Sequence, residues 1–162
     1  MRAALFALAA CGSASPPPPI ANQAPSPAVS ESDGLRIVFE RQACHGRCSE
    51  YRFEISPDHT VVWHGITNVK TMGEAHGTID DRQLDKIRIA LELANFDARD
   101  EFGALPRDTS WDHCDDVVYV KIAVTRRGVA HTIYHHMRCN PDDGLDQLEA
   151  TLDEVAGTAA WK

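Results

Sequence analysis

Residues Leu35-Arg-Ile37-Val-Phe39-Glu alternate apolar and polar side chains, and this period of two constrains the chain more than any other feature. It is the pattern of a strand with one face buried. Tyr51-Arg-Phe53-Glu-Ile55 repeats it. Ser56-Pro57-Asp58-His59 is turn chemistry, and Thr60–His64 resumes as a strand, so the pair reads as a hairpin. A weaker fourth strand lies within Val69–Thr78. Val117–Val124 and Val129–His136 form a second hairpin, turned at Arg126-Arg127-Gly128.

The period changes to 3.6 in two places. Asp80 reads as an N-cap with Gln83 three residues on, followed by Leu84, Ile87, Leu91 and Ala94 at helical spacing through Phe96. A polar loop of roughly 98–116 separates this helix from the second hairpin. Asn140-Pro141 opens a last helix with the proline at its first position, Leu145, Leu148, Leu152 and Val155 as its buried stripe, and Gly157 as its end. The order is ββββ-α-ββ-α. Strands that pair as hairpins favour an antiparallel sheet of about six strands, and two amphipathic helices need one face of it to cover. The expected class is α+β with both helices on one side.

The first residues carry an address. Arg2 precedes an apolar run from Ala3 to Ala10, and Leu8-Ala9-Ala10-Cys11 resembles the lipobox of bacterial lipoproteins. The resemblance implies a signal peptide over 1–10, cleavage before Cys11, and a thiol carrying diacylglycerol. Residues 11–34 are rich in proline and serine, too poor in apolar surface to order themselves, and suited to a stiff tether. Gly12 rather than Asp after the lipidated cysteine leans, by the same resemblance, to the outer membrane facing the periplasm. The domain then spans 35–162. No apolar run is long enough for a spanning helix. The net charge is -8 with no basic patch in the sequence, which argues against nucleic acid as a partner.

The chain has five cysteines. Lipidation of Cys11 leaves Cys44, Cys48, Cys114 and Cys139, an even set in an exported protein. Three pairings are possible. Cys44 and Cys48 sit close together around Gly46, and Cys114 and Cys139 flank the open end of the second hairpin, so Cys44–Cys48 with Cys114–Cys139 is the geometric favourite. Loop entropy gives about 2 kcal/mol for the short ring and about 3.5 kcal/mol for the longer one.

Arg41-Gln-Ala-Cys44-His-Gly46-Arg-Cys48-Ser-Glu-Tyr51 resembles the R-x-x-C-x-G-x-C-x-x-Y opening of a bacterial family catalogued as domain of unknown function 6438. The likeness continues through Ala94-Asn95-Phe96, His135-His136-Met-Arg-Cys139, Gly157-Thr158 and Trp161. It implies a fold and an exported setting, and no activity. His59 stands where the family usually has glycine in the first hairpin turn.

Three chemistries are weighed against this frame. The three-residue separation of Cys44 and Cys48 departs from the two-residue redox motif, and a strand-like segment follows instead of a helix N-terminus. Zinc or copper accepts the ligand types at His113, His135 and His136, with His45, His131 and the cysteines nearby. His131 and His135 share a strand face but stand about 13 Å apart, too far for one ion. Asp112, Asp115 and Asp116 crowd His113 in the Trp111–Asp116 loop, as paired carboxylates do in hydrolases, yet no nucleophile elbow, zinc-protease motif or phosphate loop accompanies them. Trp63, Trp111 and Trp161 are read as packing. The expectation is therefore a non-catalytic domain without cofactor, anchored to the membrane by lipid and binding a protein or small molecule of the envelope. The alternatives are a metal-binding envelope protein and, behind it, a hydrolase using the 111–116 loop.

Changing Cys11 to Ala is expected to release the domain from membranes. Cell fractionation checks this, and unchanged membrane recovery contradicts a lipid anchor.

Overall fold

A computed structural model of the chain describes residues 34–42, 46–103, 119–136 and 142–162. The predicted leader, tether, Cys44, the 111–116 loop with His113 and Cys114, and Cys139 lie outside these residues. Six strands are present: β1 (Arg36–Arg41), β2 (Glu50–Ile55), β3 (Thr60–Thr67), β4 (Gly73–Thr78), β5 (Tyr119–Arg126) and β6 (Val129–His136). Helix α1 (Asp81–Leu93) lies between β4 and β5, and α2 (Asp143–Val155) follows β6. The sheet runs β4-β3-β2-β1-β5-β6 and every pairing is antiparallel. The expected ββββ-α-ββ-α order and α+β class are those of the structure. Among the described residues no helix is long and apolar enough to cross a membrane.

The pleat sends alternate side chains to opposite faces, and register aligns them into rows. One inner row crosses all six strands as Ile133, Ile122, Phe39, Phe53, Trp63 and Ala75. Phe39 and Phe53 stack at 4.8 Å, and Trp63 meets Trp161 at 5.3 Å. The helices close over this face, with Leu84, Ile87 and Leu91 of α1 and Leu145, Leu148, Leu152 and Val155 of α2 in the same core. Trp63 is fully buried, as its reading as packing requires. Its indole Nε1 donates to the Thr71 carbonyl at 3.1 Å. That same carbonyl passes so close to Gly65 that a Cβ there would meet the oxygen at 1.9 Å, so the chain returning from β3 needs glycine.

Asp80 and Gln83 form the predicted reciprocal capping box of α1. Two helix boundaries differ from the sequence reading. The first helix stops at Leu93, because Asn95 turns into the left-handed region at φ 49° and starts a short 3-10 turn, within which Phe96 is still buried. Asn tolerates that conformation better than most residues. The last helix opens at Asp143, with Asp142 as its cap in place of the Asn140-Pro141 start. The Asp142 carboxylate accepts from the amides of Gly144 and Leu145. His59 takes its turn position at φ 69°, in the left-handed region that favours glycine.

Arg99 explains why Asp142 serves as the cap. Its buried guanidinium donates to the carbonyls of Ala94 and Gly103 and bidentately to Asp142 at 2.7 and 3.0 Å. One arginine thus ties the end of α1 to the start of α2. Burial pulls the Asp142 pKa up, but the hydrogen bonds from Arg99, Leu145 and Gly144 and the Arg99 charge outweigh it and hold the carboxyl below its usual range. A folded-state pKa below the unfolded one contributes stability that is complete above the unfolded value and is lost as pH falls through the folded one.

Stability is therefore expected to decline below about pH 4. Asp142→Asn should lower it at neutral pH and shrink the acid-side decline. Urea titrations across pH check this, and an unchanged acid limb in Asp142→Asn contradicts it.

Candidate functional site

The inner row next to the aromatic one reads His135, Val120, Arg41, Tyr51, Gly65 and Gly73. Three polar side chains of this row therefore point under α2. The helix answers with Glu149 and Asp153, four residues apart and so on one face. His135 is fully buried, and its Nδ1 lies 2.6 Å from Glu149 Oε1. Glu149 Oε2 accepts from Arg41 Nη2 at 3.2 Å. Arg41 Nε donates to the Tyr51 hydroxyl at 3.1 Å, and that hydroxyl donates to Asp153 Oδ1 at 2.6 Å. Lys162 Nζ closes the chain on Asp153 Oδ2 at 2.6 Å and lies 5.1 Å from the centre of the Tyr51 ring.

These groups stabilise one another's charge. Burial works against the Arg41 cation, but Tyr51, Glu149 and Asp153 outweigh it and hold the guanidinium firmly charged. Burial first, and the Asp153 charge second, push the Tyr51 hydroxyl far above the ordinary phenol range. Tyr51 is thus a neutral donor, unsuited to act as a base.

The histidines separate. His135 and His136 are consecutive on β6, so the pleat places them on opposite faces and they cannot share an ion. His113, the third residue of the expected metal set, lies outside the described residues. His131 stands on the inner face against Phe96, ring centres 5.2 Å apart and nearly perpendicular. Burial first, then the neighbouring His135, lowers the His136 pKa. A different donor set does converge: His135, Glu149 and Asp146 offer ligand atoms within 4.8 Å of one another, with Asp146 exposed.

The outer face of the sheet stays half-exposed to exposed. Register lines up Glu74, His64, Arg52, Glu40, Lys121 and Tyr134 across its six strands. Tyr119 meets Tyr134 edge-on at 5.5 Å at the β5–β6 end.

A family model described as "Domain of unknown function (DUF6438)" matches residues 35–156. The chain belongs to that family. No curated protein matches it. In this DUF6438 domain the two ends of the R-x-x-C-x-G-x-C-x-x-Y opening are direct partners: Arg41 stands opposite Tyr51 in the β1–β2 register and donates to its hydroxyl. The motif runs from the end of β1 into β2, and both its ends lie in the row under α2. Glu149, Asp153, Arg99 and Lys162 had no reading in the sequence. The available signal was two acidic residues at i and i+4 on the edge of an apolar helix stripe.

Arg41→Met should cost about 3–5 kcal/mol, because it leaves the buried Glu149 without its guanidinium. Tyr51→Phe removes one hydrogen bond and should cost about 1 kcal/mol. Denaturant unfolding of both variants checks this, and equal small losses would mean that water reaches the carboxylates.

Proposed function

We propose that this chain is an exported lipoprotein whose DUF6438 domain is a non-catalytic binding domain of the bacterial envelope. Cys11 carries the lipid, residues 11–34 form the tether, and the domain binds an envelope protein or small molecule without a cofactor. The observation that carries the reading is the outer sheet face, which keeps charged and aromatic side chains half-exposed or exposed across six strands. Tyrosines beside a cation, as at Tyr119, Tyr134 and Lys121, are favoured contact residues of protein surfaces. The inner polar groups support a non-catalytic role, since Arg41, Tyr51, Glu149 and Asp153 hold one another. The Cys44–Cys48 and Cys114–Cys139 staples belong to the same proposal, as disulfides of an exported domain.

Cross-linking of the native lipoprotein in its envelope, followed by pull-down, tests the reading. Lys121→Glu combined with Tyr134→Ala should remove the captured partner and leave the melting temperature within a few degrees. Capture of the same set by that variant contradicts the outer-face reading.

Metal binding is a second reading, favoured by the convergence of His135, Glu149 and Asp146. It predicts stoichiometric zinc or copper in protein purified without an affinity tag, lost in Glu149→Gln. Metal-free protein, or metal retained by that variant, contradicts it.

A further inference from the structure

At the tip of the β5–β6 hairpin a cleft of about 380 Å³ is lined by Arg88, Glu92, Asp97, Arg126 and Arg127. Arg88 and Glu92 come from α1, Asp97 from the 3-10 turn that follows it, and Arg126 and Arg127 from the hairpin. Three guanidinium groups thus converge from two separate elements on a chain whose net charge is -8.

The carboxylate beside Arg126 does not satisfy it fully. Asp97 takes Arg126 Nη1 at 3.3 Å and Asp85 takes Arg88 Nη1 at 3.0 Å. Arg126 Nε is buried and has no hydrogen-bond partner among the described residues. A buried donor without an acceptor is unfavourable, and a charged one more so. Arg127 adds an exposed guanidinium from a strained position. It sits at φ 50° and is followed by Gly128 at φ 77°, the two left-handed residues that a two-residue hairpin turn of the primed type requires. Asn or Asp is the usual first residue there, so arginine holds its charge at the rim against its own backbone preference.

We propose that this cleft binds a phosphate group. The planar fork of arginine matches the oxygens of phosphate, and clustered arginines from separate elements converge as phosphate recognition requires. Arg126 is the central donor, fixed on one side by Asp97, and an oxyanion in the cleft supplies the acceptor that its Nε lacks. Arg88 and Arg127 close on it from α1 and from the hairpin tip. The group belongs either to an anionic lipid headgroup or to a soluble phosphate compound. This inference concerns a different surface from the outer sheet face and stands independently of that reading.

The test uses the full chain carrying Cys11→Ala, which removes the acylation site. Inorganic phosphate is titrated and followed by amide resonances, alongside co-sedimentation with vesicles of phosphatidylcholine, with and without phosphatidylglycerol. Saturable phosphate binding is expected, with shifts at Arg88, Arg126 and Arg127. Arg126→Gln should weaken it roughly tenfold, the scale of a charge-assisted hydrogen bond. Lys70→Gln, a charge loss between β3 and β4, should leave it unchanged. Arg127→Asn separates binding from folding: it eases the turn, so melting should hold or rise while phosphate affinity falls about threefold. Preference for the phosphatidylglycerol vesicles, competed by inorganic phosphate and lost in Arg126→Gln, identifies a lipid headgroup. Phosphate binding without that preference identifies a soluble phosphate compound. The proposal is overturned by the absence of saturable phosphate binding, or by binding indifferent to both Arg126→Gln and Arg127→Asn.

Discussion

Phe39 stands opposite Phe53 on one side and Ile122 on the other, and this double register on β1 joins the two parts of the sheet. Strands β2, β3 and β4 reach the fold through one edge of β1, and β5 and β6 through the other. A slip of one residue along either edge would turn a fully apolar row toward water and the charged row toward the helices. Burial of the aromatic row therefore fixes where every other side chain stands, including the polar ones.

Arg41 is the clearest consequence. The parity that buries Ile37 and Phe39 also turns position 41 inward, at the end of the same strand. A charge carried inside by register needs partners, and α2 brings Glu149 and Asp153 to it while Tyr51 bridges from β2. Removing the Arg41 cation leaves the buried Glu149 carboxylate without its guanidinium, so the network depends most on that one member. The network also sets the position of α2 over the sheet more sharply than leucine packing alone, because hydrogen bonds are directional and apolar contacts are not.

The polar chemistry of the domain is thus divided. Under α2 it is neutralised and enclosed. On the outer face and at the hairpin tip it meets solvent, in one case as an alternating row of charges and in the other as converging arginines. Both exposed surfaces are assembled from side chains outside the two inner rows of the sheet.

Much of the architecture was legible in the chain, because periods of two and 3.6 are local properties. Ile37, Phe39, Phe53 and Trp63 announce strands, Leu148 and Leu152 a helix stripe, and Asp80 with Gln83 a cap. Boundaries were less so where a distant residue decided them: Asp142 caps α2 while held by Arg99, 43 residues away. The site was largely hidden. His135 and His136 looked like one cluster in sequence and are separated by the pleat. Arg41 and Tyr51 stood in a recognisable motif, but their hydrogen bond and its link to Asp153, 102 residues from Tyr51, needed the register of β1 on β2 and the seat of α2. Arg88 likewise meets Arg126 and Arg127 only after folding, so a sequence without a basic run still builds an arginine-lined cleft. Local periodicity by itself determined the elements and their class. Which charged groups meet was decided only by tertiary structure, because Coulomb and hydrogen-bond partners are set by distance in space, and that distance follows from sheet order and helix placement rather than from position along the chain.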